Sequence, residues 1–312
     1  MKLCIDPNFM ERAVFARTQQ ESSLSELYGR QFADCYDADL SARQQKFRDL
    51  HEQWFEQLGL MALLRTVLAE FPRVVQSAER VLIDAAPSPR NQVAELMGGP
   101  GRYAVLMHIH AGAMLDADDF RAWARHELQH IDDILDPAFG YDRQAQPVGN
   151  TQAGVNLTRE RYALLWAISI DARLSARFPA PEGVKDRRAK ELVRAFHISD
   201  EAAKLQLDDL WQAAIDHRPT PTGGWLAHTE MLSLARVGLC SSASQDAASG
   251  DRGASMAGWP CPLCNFPTHD WQLQFEDDVA DAIRADFPNW SPAQAACRRC
   301  GELYWSRTLV GS

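Results

Sequence analysis

The sequence predicts a mainly α-helical protein of the α+β class, with a small sheet and a separate metal-bound module near its end. Most of the chain repeats apolar residues at a spacing of three and four, which is typical of amphipathic helices. The clearest strand candidate is 103–110, where successive side chains alternate between two faces. Two Cys-x-x-Cys pairs follow a stretch rich in Ser, Ala, Gly and Asp, and they indicate a metal site.

Composition limits the classes of protein to which the chain can belong. Its 312 residues exceed one ordinary domain, and 46% hydrophobic residues can supply a sizeable core. A formal charge of −10 disfavours a general nucleic-acid binder, because phosphate affinity comes largely from clustered Lys and Arg. A membrane span needs a run of about 18 apolar residues, and the sequence has no such run, so a membrane span is excluded. The opening residues do not resemble a secretory signal, and we expect a cytoplasmic protein.

The chain divides into four predicted regions. Residues 1–85 form an N-terminal helical region that packs on the catalytic core, with one long helical pattern over 21–71 and a further short helix over 74–83. Residues 86–240 form a metal-binding domain, 241–258 a flexible linker, and 259–312 the small metal-bound module.

The strand candidate 103–110 carries two histidines on one face, His108 and His110. They could belong to a second metal site, but a polar strand face is the favoured interpretation. A strand directly before a catalytic helix could also pair with an extended substrate backbone.

A helix that begins after Asp116 and ends before Pro137 carries the pattern HExxH. Positions i and i+4 share one helix face, with Cβ atoms roughly 6 Å apart, so His126 and His130 can ligate one ion. Glu127 lies beside them and is suited to act on water at that ion. The alternative is two core histidines satisfied by hydrogen bonds.

A later helix, about 158–178, places Asp171 on its apolar stripe, with Glu160 further back. A buried carboxylate needs a partner, because an unpaired buried charge is costly. A metal ion and an arginine, Arg161 or Arg173, are equally good partners for Asp171.

Four cysteines in the last region, Cys261, Cys264, Cys297 and Cys300, suit a structural zinc ion held by thiolates. A redox disulfide is the competing interpretation. The arrangement resembles zinc ribbons over about residues 259–312. Aromatic residues there could form an exposed recognition surface, although a core role is favoured, and the acidic 276–278 weakens a nucleic-acid role.

The segment His126-Glu127-Leu128-Gln129-His130 resembles the active-site helix of zincin metallopeptidases, over about residues 100–180. The resemblance implies a helical domain with a small sheet, and one catalytic zinc held by both histidines, a third protein ligand and a water. Asp136 has the spacing of the metzincin ligand, but Asp133 stands where that pattern has glycine. A carboxylate from a following helix is similar to the gluzincin layout, and this favours Asp171, with Glu160 second.

The sequence therefore predicts a zinc-dependent hydrolase, a peptidase that acts on a peptide or protein substrate with Glu127 as general base. It would hold two zinc ions, one catalytic and one structural. The alternative is a non-catalytic scaffold or regulatory protein whose zinc ribbon recruits a protein partner. The residue that stabilises the oxyanion is open among four candidates: Tyr141, Tyr162, Arg173 and His228.

Overall fold

The computed structural model describes residues 1–142, 152–216, 227–237, 259–264, 267–268, 270–287 and 290–310. This part of the chain is mainly helical with a small sheet, as the sequence predicts. No helix in it is both long enough and apolar enough to cross a membrane. The predicted linker 241–258 lies outside the described residues, and the predicted domain boundaries stay predictions.

Internal contacts divide the chain into two compact units. The first comprises Met1–Asp142, Ile170–Glu182 and His217–His228. The second comprises Arg143–Ser169, Gly183–Asp216 and Thr229–Ser312.

The α-helices are α1 (Pro7–Thr18), α2 (Ser22–Asp34), α3 (Leu40–Gln57), α4 (Leu60–Ala69), α5 (Pro72–Ser77), α6 (Ala117–Leu135), α7 (Gln152–Ser175), α8 (Val184–Phe196), α9 (Asp200–Asp216), α10 (His228–Val237), α11 (Asp277–Asp286) and α12 (Arg298–Val310). The strands are β1 (Lys2–Ile5), β2 (Ala78–Ala85), β3 (Val93–Met97), β4 (Tyr103–Ile109), β5 (Trp259–Pro260), β6 (Pro267–Thr268), β7 (Trp271–Gln272) and β8 (Ala296–Cys297).

The predicted helical pattern over 21–71 contains three α-helices, α2, α3 and α4. Gly59 separates α3 from α4 in the left-handed conformation, with a φ of 73°, which favours glycine because it has no Cβ. Large side chains from these helices, such as Phe55 and Leu64, are almost fully buried in the core of the first unit. The N-terminal helices therefore form part of the same core as the sheet.

The sheet of the first unit has the strand order β1-β2-β4-β3. β1, β2 and β4 are parallel, whereas β3 is an edge strand antiparallel to β4. The prediction of a strand at 103–110 is confirmed as β4, whose Val105, Met107 and Ile109 face the core. His108 and His110 lie on the opposite, half-buried face, and His108 lies beside Asp84 of β2.

The prediction of a helix over 74–83 is wrong. A helix forms only at α5 and ends at Ser77, and the chain then continues as β2. Pairing decides this outcome, because β2 lies between β1 and β4 and buries Val81 and Ile83 at the strand period of two.

The helix with the HExxH pattern is α6, and it begins where the sequence predicts. The side chain of Asp116 accepts hydrogen bonds from the amides of Asp118 and Asp119, which satisfies free donors at the helix start. Leu128 and Ile131 lie on its buried face at 0% and 1% exposure. The packing of this buried face against the core therefore fixes the directions of the other side chains in the HExxH turn.

Three ion pairs also connect α6 to other elements of the first unit. Arg125 forms two hydrogen bonds to Glu70, directly after α4, at 2.7 and 2.8 Å. Asp132 pairs with Arg73 of α5 at 2.5 Å. Arg173 of α7 donates to both oxygens of Asp133, at 2.7 and 2.6 Å.

In the second unit, α8 and α9 pack as a helical pair. His197 ends α8 in the left-handed conformation, with a φ of 53°. The buried guanidinium of Arg161 donates to the carbonyl of Ala195 at 2.8 Å and lies over the ring of Phe196. Arg161 therefore supports the end of α8.

We expect Leu128→Ala to destabilise the protein by about 2–5 kcal/mol, because it removes buried methyl groups and leaves a cavity under the HExxH turn. Urea unfolding followed by circular dichroism measures this change. The matched control is Leu40→Ala, since Leu40 is 82% exposed and its truncation should change stability by less than about 0.5 kcal/mol. Equal effects of both substitutions would show that α6 does not depend on this contact.

Candidate metal sites

The four predicted cysteines come together in the second unit. The Sγ atoms of Cys261, Cys264, Cys297 and Cys300 all lie within 4.8 Å of one another. The sulfurs of Cys264 and Cys297 are 3.8 Å apart. Four thiolates around a tetrahedral zinc ion lie roughly 3.8 Å from each other, because each Zn–S bond is about 2.3 Å long. The donor set and its spacing therefore fit a zinc ion.

Short elements position these sulfurs. Cys261 directly follows β5, Cys297 ends β8, and Cys300 lies in the first turn of α12. The amide of Cys297 donates to Sγ of Cys261 at 3.2 Å, and the amide of Cys300 donates to Sγ of Cys297 at 3.4 Å. Burial raises the pKa of Cys261, but the backbone amides that donate to its sulfur outweigh burial and lower it, which favours the thiolate.

A small apolar core lies beside the cysteines and shares Leu263 and Phe275 with them. Trp290 and Tyr304 are buried there with Val279 and Ile283 of α11. Trp305 points outward and is 49% exposed. The favoured core role of the aromatic residues thus holds for Trp290 and Tyr304 but not for Trp305. The zinc-ribbon fold itself stays a prediction.

The two histidines of the HExxH pattern share one face of α6, as their spacing predicts. The ring centroids of His126 and His130 are 5.1 Å apart, with an angle of 74° between the ring planes. Both side chains are partly exposed, whereas Leu128 between them is buried. Two imidazoles in this arrangement can offer zinc two nitrogen ligands of the kind that it prefers.

Asp171 lies against the first of these histidines. Its Oδ1 is 2.7 Å from Nδ1 of His126, which is a hydrogen-bond distance. Two ligand atoms on one tetrahedral zinc would be roughly 3.3 Å apart, since each bond to N or O is about 2.0 Å. This contact leaves Nε2 of His126 for a metal. The role of Asp171 as third zinc ligand stays a prediction.

The other two candidates for the third ligand have different surroundings. Asp136 pairs with Arg73 at 2.9 Å. Glu160 is exposed and belongs to the second unit. Among the described residues, the four cysteines are the only group of three or more His, Cys, Asp or Glu side chains with ligand atoms within 4.8 Å of one another. The fit of the HExxH turn to zinc therefore rests on its two histidines.

Glu127 is held by the edge strand of the sheet. Its Oε2 accepts a hydrogen bond from the amide of Ala94 in β3 at 3.0 Å. Burial raises the pKa of Glu127, while the Ala94 amide and the nearby His126 partly oppose this effect. Oε1 accepts no hydrogen bond from any residue that the structure describes. One oxygen is thus fixed and the other is open to a ligand.

The sequence analysis missed β3 and therefore missed Ala94. A signal was present, because the glycine-rich turn at 98–101 separates two short apolar runs, a pattern typical of a β-hairpin.

The four oxyanion candidates lie in different surroundings. Arg173 is paired with Asp133. Tyr162 is buried in the second unit. In the first unit, the rings of Tyr141 and His228 are 5.1 Å apart, and the amide of His228 donates to the carbonyl of Phe139 at 3.1 Å. Burial lowers the pKa of His228, and Asp142 partly opposes the shift.

We expect Cys297→Ser to lose one equivalent of zinc per chain and to unfold the cysteine module, since three remaining thiolates bind zinc more weakly. Elemental analysis of the purified chain measures the zinc content. Cys4→Ser is the matched control, because Cys4 lies in β1 and belongs to no such cluster among the described residues. Unchanged zinc content in Cys297→Ser would contradict the assignment.

A scan against protein-family models and searches of curated proteins and of solved structures returned no match for this chain. The argument for its function therefore rests on the residues of the two candidate metal sites.

Proposed function

We propose that the chain is a zinc-dependent hydrolase, a peptidase that uses His126 and His130 as zinc ligands and Glu127 as general base. The observation that carries this proposal is the position of Glu127, which is next to the proposed ligand His126 in sequence and is hydrogen-bonded to the amide of an edge strand. A general base needs this combination of a fixed carboxylate and an adjacent reacting centre.

The edge strand supports a peptide as the substrate class. The amide of Ala94 points away from β4, because it donates to Glu127 rather than to the neighbouring strand. An extended peptide can add to an edge strand through main-chain hydrogen bonds, and at Ala94 it would compete with Glu127 for the amide. A peptide placed along β3 would bring a carbonyl group close to the carboxylate of Glu127.

The chemistry divides between the metal and the side chains. A zinc ion at the two histidines would supply a Lewis acid that polarises the substrate carbonyl and lowers the pKa of the attacking water to about 7. The Ala94 amide holds Oε2 of Glu127, so Oε1 would be the atom that takes a proton from the attacking water and returns it to the leaving amine. Asp171 orients the ring of His126 through Nδ1.

We expect Glu127→Gln to lower peptide turnover by about 10²–10⁴-fold, since it removes the proton acceptor and keeps the shape of the side chain. Zinc content should not change. Cleavage of a fluorogenic peptide library and elemental analysis measure the two quantities. The control is Glu26→Gln on the exposed surface of α2. A demonstrated cleavage activity that survives Glu127→Gln would rule out this mechanism.

Two substitutions of Asp171 separate a ligand from an orienting residue. We expect Asp171→Ala to weaken zinc binding at the histidine site by about 10–100-fold, the usual cost of losing such a hydrogen bond to a ligand. Asp171→Asn keeps an oxygen that can accept from Nδ1 and should retain most of the affinity. Competition with a zinc-binding dye measures both, with Asp39→Asn as control. Equal losses in the two variants would favour direct ligation.

The second candidate is a non-catalytic scaffold whose cysteine module recruits a protein partner. A groove of about 440 Å³ favours it, since Trp271 and the half-exposed Trp305 line that groove beside Arg298. Exposed tryptophans are frequent anchors of protein interfaces. Zinc stoichiometry distinguishes the two functions: two ions per chain support the enzyme, and a single ion that is lost in Cys297→Ser supports the scaffold.

A further inference from the structure

The first unit contains a cavity that is distinct from the groove of the cysteine module. No residue of either candidate metal site lines it. It has a volume of about 420 Å³ and opens between α1, α2 and α3. This volume falls within the usual range for small-molecule pockets, about 300–1,000 Å³. The residues that characterise the pocket are Glu11, Phe32, Tyr36, Phe47, Arg48 and His51.

Three aromatic side chains form the apolar part of the pocket. The ring centroid of Phe47 is 4.9 Å from that of Phe32 and 5.2 Å from that of Tyr36. The ring of His51 lies nearly parallel to those of Phe32 and Phe47, at interplanar angles of 27° and 26°. Such surfaces favour a planar aromatic group, which can stack or pack edge to face.

His51 is the buried polar residue among those that line the pocket. The residue is only 6% exposed, and Nε2 lies 3.1 Å from the hydroxyl of Tyr28. Nδ1 forms no hydrogen bond within the described residues. Burial lowers the pKa of His51, which favours the neutral ring. A neutral ring leaves Nδ1 as one donor or one acceptor, and a hydroxyl group can serve either role.

Two residues of opposite charge line the solvent-exposed part of the pocket, which we call its mouth. Glu11 of α1 and Arg48 of α3 are both exposed, and neither forms a hydrogen bond or an ion pair within the described part of the chain. A ligand with a single charge would use only one of them. A zwitterion would use both.

We propose that this pocket binds a zwitterionic amino acid with a phenolic side chain. Its ring would pack against Phe32, Tyr36 and Phe47, with its hydroxyl group on Nδ1 of His51. Its ammonium group would face Glu11 and its carboxylate Arg48. This site is independent of the proposed peptidase and stands without it.

The probe is L-tyrosine, titrated against the full chain by saturation-transfer NMR. We expect a dissociation constant on the order of 1 mM, as is usual for so small a ligand. Three analogues each remove one group: N-acetyl-L-tyrosine the ammonium, L-tyrosinamide the carboxylate, and L-phenylalanine the hydroxyl. We expect the first two to bind about two- to fivefold more weakly, because the mouth charges are exposed, and the third about tenfold more weakly.

Variants at the mouth identify the contacts. Glu11→Gln should abolish the preference for L-tyrosine over its N-acetyl form, and Arg48→Gln the preference over the amide. Tyr36→Ala should weaken all the ligands, and Tyr36 is 54% exposed, so the fold should tolerate its loss. Matched controls are Glu52→Gln and Arg12→Gln, which are exposed and lie outside the pocket.

Circular dichroism melting verifies that each variant is folded. The absence of saturable binding at millimolar L-tyrosine overturns the proposal. Equal binding of the charge-blocked analogues, or preferences that survive Glu11→Gln and Arg48→Gln, also overturns it.

Discussion

The ion pair between Asp133 and Arg173 is the interaction on which the HExxH region depends most. The carboxylate is 3% exposed, and burial of an unpaired charge of this kind is strongly unfavourable. Two parallel hydrogen bonds from Arg173 and one from Gln129 compensate for this cost. The pair connects α6 to α7 within the first unit, and it lies two residues from Asp171. It thereby positions the carboxylate that contacts His126.

The histidine pair and the cysteine cluster differ in how completely the protein assembles them. The cysteine sulfurs converge from two separate Cys-x-x-Cys turns, with backbone amides directed at them. The histidines share one helical turn, and their surroundings supply orienting contacts, from Asp171 to His126 and from Ala94 to Glu127. A structural zinc site must supply four protein ligands, whereas a catalytic site keeps a position open for water or substrate. The cysteine cluster meets the first requirement with its four thiolates, whereas the catalytic role of the histidine pair is a proposal.

Much of this protein was predictable from local sequence patterns, because those patterns act over a few residues. His126 and His130 lie on one helix face because their spacing of four residues is close to the helical period. The start of α6 follows from the capping side chain of Asp116. The spacing of the cysteine pairs predicts a shared metal site. The strands β1, β2 and β3 were missed. The state of β1 and β2 depends on parallel partners distant in sequence, whereas β3 pairs with the adjacent β4.

The sequence by itself determined the helical character of the chain, the face shared by the two histidines and the identity of the four thiolates. Tertiary structure decided which partner each carboxylate has. Asp171 contacts His126, Asp133 contacts Arg173 and Asp136 contacts Arg73. The physical reason is that helical periodicity fixes the direction of a side chain, whereas its partner is supplied by another element whose position only packing defines.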